Sequence, residues 1–216
     1  MAKKSLAVFI IAALAASGIF AQEQEQPKGF SLSAGAGALI GGDFGGGVKA
    51  TGSEFKTPYF GGGGFLFFDA TYAELSFGIL GGGGKWGGDD TENATITNLN
   101  IGLLGKYPFA INEKLSVFPL LGIDYQITVS AKIDGEEYKH DGDDSPGDFS
   151  ALWFKLGGGL DYDITSNLYL RGELLYGLRL ANKAENDMKD GIPDGADPKT
   201  RLGHGLNVKI AVGYKF

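Results

Sequence analysis

Residues 205–216, GLNVKIAVGYKF, alternate between two kinds of side chain. Because successive side chains of a β-strand point to opposite faces, this segment predicts a strand with one apolar and one polar face. Such a strand suits a wall that separates lipid from a polar interior. The apolar face comprises Leu206, Val208, Ile210, Val212, Tyr214 and Phe216, and the other face comprises Asn207, Lys209, Ala211, Gly213 and Lys215.

The alternation recurs in seven further segments, each of the length that a tilted strand needs to cross a bilayer. In residues 168–181 a face of leucines lies opposite Arg171, Glu173 and Arg179, an arrangement that is unfavourable in a soluble core. In residues 59–69, YFGGGGFLFFD, either register leaves large apolar side chains inside, so the register stays open. The predicted strands are 29–40, 59–69, 72–83, 95–109, 114–131, 150–163, 168–181 and 205–216.

The predicted connections alternate in length. Residues 69–71, 110–113 and 164–167 form short turns, whereas 41–58, 84–94, 132–149 and 182–204 form long polar loops. With an even number of strands, this alternation places all turns on one side of a membrane and all loops on the other. The prediction is an all-β fold, an eight-stranded antiparallel up-and-down transmembrane β-barrel with short periplasmic turns and long extracellular loops.

Residues 1–21 are predicted to be an export signal that is removed. Lys3 and Lys4 precede an apolar stretch, residues 6–16, and residues 17–21 form a plausible cleavage segment. The apolar stretch is too short to span a bilayer as a helix, so a membrane anchor is the weaker interpretation. A short tail, residues 22–28, then leads into a barrel domain, residues 29–216.

Composition excludes several classes of protein. The chain contains no cysteine, which excludes a disulfide scaffold, a thiolate metal site and an acylated N-terminal cysteine. It carries 26 acidic and 19 basic residues, a formal charge of −7, and loss of Lys3 and Lys4 with the signal makes the protein more negative. Such a surface repels nucleic acid, so no nucleic-acid partner is expected.

Aromatic residues gather at the predicted strand ends beside the short turns. This is where a transmembrane barrel carries its interfacial girdle, although the general β-propensity of aromatic residues is an alternative explanation. The residues concerned are Phe68, Tyr72, Tyr107, Phe109, Tyr162, Tyr169, Tyr214 and Phe216.

With eight alternating segments, asymmetric connections and an aromatic last strand, the chain resembles the small OmpA/OmpX-type barrels, a porin-like group of outer-membrane proteins. The resemblance covers the whole mature chain and implies an integral protein in the outer membrane of a diderm bacterium, in contact with outer-membrane lipid. It also implies that Ile210, Val212, Tyr214 and Phe216 form the signal that the barrel-assembly machinery reads. The family is functionally mixed, so the resemblance implies fold and location more strongly than activity.

The predicted inward faces carry a set of opposite charges. In a narrow barrel these groups are expected to pair, because an unpaired buried charge is strongly unfavourable. A salt-bridged plug is therefore favoured over a narrow channel for small solutes, although inward-facing glycines keep a water-filled lumen or a small ligand cavity open as an alternative. The charged residues are Glu74, Lys106, Asp124, Lys155, Asp161, Arg171, Glu173, Arg179 and Lys209; the glycines are Gly35, Gly37, Gly102, Gly122, Gly157, Gly159, Gly177 and Gly213.

Loop residues 182–204 contain DGIPDGAD, in which Asp190, Asp194 and Asp197 are spaced like the ligands in part of a calcium-binding repeat. The match is partial, so a solvated acidic loop is favoured over a weak calcium site, and no other cofactor is expected. The two histidines, His140 and His204, lack the partners of a catalytic triad. The sequence therefore predicts a non-enzymatic protein with a structural or surface-interaction role, whose acidic loops could face an extracellular or host ligand.

Overall fold

The computed structural model describes residues 31–50, 53–87, 91–137, 150–182 and 199–216. In these residues no helix is long and apolar enough to span a membrane. The predicted eight long antiparallel strands are confirmed. They are β1 (Leu32–Asp43), β2 (Tyr59–Ala70), β3 (Ala73–Gly87), β4 (Thr91–Lys106), β5 (Leu115–Ile133), β6 (Ala151–Asp163), β7 (Leu168–Asn182) and β8 (His204–Lys215).

The eight strands close into a barrel. Each strand pairs with its neighbour in the chain, and β8 pairs with β1. A row of paired residues that leaves β1 at Ser33 passes once around the wall and returns to β1 at Asp43, ten residues further on. Because of this stagger the strands tilt relative to the barrel axis. Residues that are far apart in the chain, and that are not cross-strand partners, can therefore lie at the same height in the interior.

Alternation assigns one face of each strand to the interior. On β8, Lys209 is buried whereas Ile210 is 65% exposed, and the other predicted lipid-facing residues of this strand are exposed as well. The structure also decides the register of β2 that the sequence left open. Tyr59, Phe65 and Phe67 are buried inside, and Phe60, Leu66 and Phe68 face outward.

All four predicted long loops are wrong in part, because strands extend into each of them; in 132–149, β5 continues to Ile133 and pairs with Glu136–Glu137. Residues 84–94 are mostly strand, since β3 and β4 remain paired as far as Gly87 and Thr91. Residues 41–58 contain a hairpin of Gly47–Ala50 and Ser53–Lys56, and Lys199–Arg201 pairs with its first strand. A backbone ladder does not require apolar alternation, so the alternation criterion ended these strands too early.

Two of the short turns also differ from the prediction. Asp69 and Ala70 belong to β2, and the turn that follows lies at residues 71–72. β4 ends at Lys106, and Phe109–Ala110 then pairs with the beginning of β5. The third turn, residues 164–167, lies where it was predicted.

Exposed aromatic side chains form part of a girdle on the short-turn side. The rings of Tyr72 and Tyr107 lie 5.8 Å apart, those of Tyr107 and Phe109 4.9 Å apart, and those of Tyr214 and Phe216 5.7 Å apart. Tyr169 was wrongly included in this girdle, because its side chain is buried inside the barrel. Its position on the same face of β7 as Arg171 explains the difference, since that face is the inner one.

Candidate functional site

Arg171, on the inner face of β7, is the centre of the charged interior. Its Nε and Nη2 donate to both oxygens of Asp161, at 2.8 and 2.7 Å, and Nη1 donates to Glu74 Oε2 at 2.6 Å. Nη2 also contacts Asp69 Oδ2. The planar guanidinium group, which presents five donors in a fixed fork, suits this triple contact better than an ammonium group would.

Three aromatic rings surround the same guanidinium group. Arg171 Cζ lies 4.5 Å from the ring centroid of Phe67, 5.1 Å from that of Phe118 and 5.3 Å from that of Tyr169. Arg171 is only 2% exposed. Removal from water strengthens the cation–π attraction and the charged hydrogen bonds, and it makes the loss of any partner more unfavourable.

Two lysines extend this arrangement. Lys106 Nζ contacts Asp69 Oδ2, and Lys209 Nζ lies 3.2 Å from Glu173 Oε2 and 3.5 Å from Glu74 Oε1. Glu173 Oε1 is 3.9 Å from Arg171 Nε. We refer to these seven groups as the central ion cluster; its members are Asp69, Glu74, Lys106, Asp161, Arg171, Glu173 and Lys209.

Inward glycines do not leave empty space beside the cluster. A Cβ atom on Gly35 would overlap the ring of Phe67, one on Gly159 would overlap Phe118, and one on Gly213 would overlap Tyr169. The absence of a side chain at these three positions therefore accommodates the rings around Arg171. The expectation that these glycines leave the lumen unfilled is wrong at these positions.

A polar layer lies further toward the long-loop side. Lys155 Nζ donates to Asn207 Oδ1 at 2.6 Å, and Asn100 Nδ2 donates to Asp124 Oδ1 at 3.1 Å. Although Asn100, Asp124 and Asn207 belong to inner faces, they are partly exposed. Space that solvent can enter therefore adjoins this polar layer, in contrast to the buried central ion cluster.

A separate ion pair lies at the long-loop end of the lumen. Arg179 Nη1 donates to Asp43 Oδ2 at 2.7 Å, and the Asp43 carboxylate is fully buried. Gly45 N donates to Asp43 Oδ1 at 3.1 Å, which ties the residues after β1 to this pair.

All nine charged residues predicted to face inward lie on the inner faces of their strands. Five of them, Glu74, Asp161, Arg171, Glu173 and Lys209, are linked to one another by ion pairs, and Lys106 joins them through Asp69. Asp43 and Asp69 also lie inside, although they were predicted to belong to a loop and a turn. The two-residue period could have found them, because each of these two aspartates occupies an inward position of its strand beyond the last large apolar residue.

The other predicted sites have different outcomes. The proposed assembly residues Ile210, Val212, Tyr214 and Phe216 are exposed on the outer surface. Asp190, Asp194 and Asp197, like His140, lie outside the described residues. His204 Nδ1 contacts the Tyr176 hydroxyl. Within the described part of the chain, no group of three or more His, Asp or Glu side chains is arranged to hold a metal ion.

Comparisons with known proteins agree with this architecture. The model of the outer membrane protein beta-barrel domain matches residues 9–216. No curated protein matches the chain. The chain is similar to the solved structure of OprG from Pseudomonas aeruginosa, with 14% identity, a TM-score of 0.49, and coverage of 87% of this chain and 95% of OprG.

Two further solved structures are similar to the chain. For Neisserial surface protein A the identity is 12% and the TM-score 0.46, with coverage of 88% of this chain and 100% of that protein. For Ail, the attachment invasion locus protein of Yersinia pestis, in complex with a heparin analogue, the identity is 15% and the TM-score 0.41. That match covers 87% of this chain and 99% of Ail.

Proposed function

We propose that this chain, which belongs to the outer membrane protein β-barrel family and is an integral outer-membrane protein, has a lumen closed to solutes and a structural or surface-interaction role. In this proposal the barrel anchors acidic external loops in the membrane and does not conduct solutes. The loops are the surface that would meet an extracellular or host ligand.

One observation carries the proposal of a closed lumen. Arg171 is bonded to carboxylates from three other strands and packed against Phe67, Phe118 and Tyr169. An eight-stranded barrel has an interior just wide enough for side chains to fill. We infer that a layer of ion pairs and rings at this height blocks a continuous aqueous path.

A narrow channel for small solutes is the second candidate, and a different observation favours it. Asn100, Asp124 and Asn207 are partly exposed on the inner wall, so water can reach the lumen on one side of the central ion cluster. Conduction would additionally require the central ion cluster to open. We favour the closed barrel because separating Arg171 from its carboxylates in a buried site is strongly unfavourable.

Planar-bilayer recording of the refolded protein tests the two candidates. A closed barrel is expected to give no stable conductance steps, either as the wild type or as the control variant Lys215→Gln, whose substitution lies outside the central ion cluster. Stable wild-type steps whose size changes with Glu173→Gln and not with Lys215→Gln would instead establish conduction through the cluster. Unboiled gel mobility should first demonstrate that each variant is a folded barrel.

The remaining parts of the proposal concern chemistry and partners. We propose that the protein is not an enzyme, that it uses no cofactor, and that its last strand is read by the barrel-assembly machinery. If the protein is not a lipid-modifying enzyme, its deletion should leave the lipid A profile of the cell unchanged. Calcium titration of the full chain is expected to produce no heat, because a solvated acidic loop is the favoured account of residues 182–204.

A further inference from the structure

The central ion cluster has one negative group more than it has positive groups. Four carboxylates, from Asp69, Glu74, Asp161 and Glu173, face three cations, from Lys106, Arg171 and Lys209. The side chains of Glu74 and Glu173 are both 0% exposed. An uncompensated charge in such a site is strongly unfavourable, so full ionisation of all seven groups is not expected.

The same site contains carboxylate oxygens that lack hydrogen-bond donors. Among the described residues, Glu74 Oε1 and both oxygens of Glu173 accept no hydrogen bond although they are buried. Glu74 Oε1 and Glu173 Oε2 both lie beside the same ammonium group, at 3.5 and 3.2 Å from Lys209 Nζ. Ionised carboxylates can only accept hydrogen bonds, so two of them cannot satisfy each other without a proton.

The charged groups on the surrounding strands do not remove the imbalance. Asp69 on β2, Lys106 on β4 and Asp161 on β6 already belong to the cluster, as do Arg171 on β7 and Lys209 on β8. On β5, Asp124 interacts electrostatically with Lys209 and with Lys155 of β6, and Lys155 interacts with Lys209 as well, so these two neighbours add one charge of each sign. The described part of β1 contributes Asp43, which is paired with Arg179 at the far end of the lumen.

We propose that the barrel holds one proton at its centre, in a hydrogen bond between the carboxyl groups of Glu74 and Glu173. This proton makes the cluster electrically neutral and supplies the donor that the two groups lack. A hydrogen bond between a carboxylic acid and a carboxylate is short and charge-assisted. Glu74 and Glu173 therefore form a proton-binding site, and this site exists whether or not the lumen conducts.

Infrared spectroscopy of the refolded full chain at neutral pH tests the site directly. The wild type is expected to show the carbonyl stretching band of a buried protonated carboxylic acid. Glu173→Gln leaves three carboxylates with three cations, so the proton is no longer required and the band should disappear. Glu74→Gln should have the same effect for the same reason. The control Asp163→Asn, in an ion pair outside the cluster, should retain the band.

The proposal is overturned if the wild type lacks the band, if the band survives either glutamate substitution, or if the control removes it. If the variants fail to refold, a measurement on the wild type alone still tests the proposal. Glutamate labelled with carbon-13 in its side-chain carboxyl group should shift the band, and similarly labelled aspartate should not. A shift with labelled aspartate would place the proton on Asp69, Asp124 or Asp161 and would also overturn the proposal.

Discussion

Arg171 and Lys215 both lie close to the ring of Tyr169, yet their surroundings differ. Arg171 Cζ is 5.3 Å from the ring centroid of Tyr169, and Lys215 Nζ is 5.4 Å from it. Arg171 is buried among three carboxylates. Lys215 pairs with Asp163 at 2.6 Å at the short-turn rim, where their side chains are 36% and 29% exposed. One tyrosine therefore contacts both a buried ion network and a partly exposed ion pair.

The difference shows that burial, rather than the number of short contacts, determines what an ion pair contributes. At the rim, water solvates either partner if the other is removed, so the net gain from pairing is small. Around Arg171, water cannot replace a missing partner, so each carboxylate depends on the arginine. The predictions below compare these two regions.

The largest expected effect is that of Arg171→Met. Three buried carboxylates lose their common partner, so the free energy of unfolding should fall by about 3–5 kcal/mol. Denaturant unfolding in detergent micelles or lipid bilayers, followed by gel mobility, measures the loss. If Arg171→Met destabilises the barrel no more than Lys215→Met does, the distinction between the two regions is wrong.

A smaller effect is expected from Gly213→Ala, which tests the ring that the two regions share. The new Cβ atom would overlap Tyr169 and displace the ring that both Arg171 and Lys215 approach. Overpacking of this kind should lower the free energy of unfolding by about 1–3 kcal/mol. Gly172→Ala is the matched control, since its Cβ atom faces outward and meets only Leu160 Cγ, at 3.9 Å. Equal unfolding midpoints for the two variants would show that Tyr169 can move freely.

The smallest effect is expected from Lys215→Met. Because the pair with Asp163 is partly exposed, its loss should change the free energy of unfolding by less than about 1 kcal/mol. Added salt should reduce even this difference between variant and wild type, because exposed charges are screened. A salt-independent loss as large as that of Arg171→Met would instead mean that the rim pair is shielded from water.

The strand whose register the sequence could not predict is β2. Its glycines and aromatic residues fit either register, because alternation of polarity is the local signal and both faces of this segment are apolar or bare. Pairing with β1 and β3 decides the register, and it brings Phe65, Phe67 and Asp69 inside together. Asp69 was missed because it follows the last large apolar residue of the segment and was assigned to the short turn.

The local pattern of the chain determines the set of strands, the lipid-facing side of every strand except β2, and nine of the charges that lie inside. These features depend on a period of two residues, which is local and can be read along the chain. Only the tertiary structure decided which charges meet. Glu74, Asp161 and Arg171 converge because closure with a stagger of ten residues brings β3, β6 and β7 to a common height. That stagger results from pairing around the whole barrel, so no single segment encodes it.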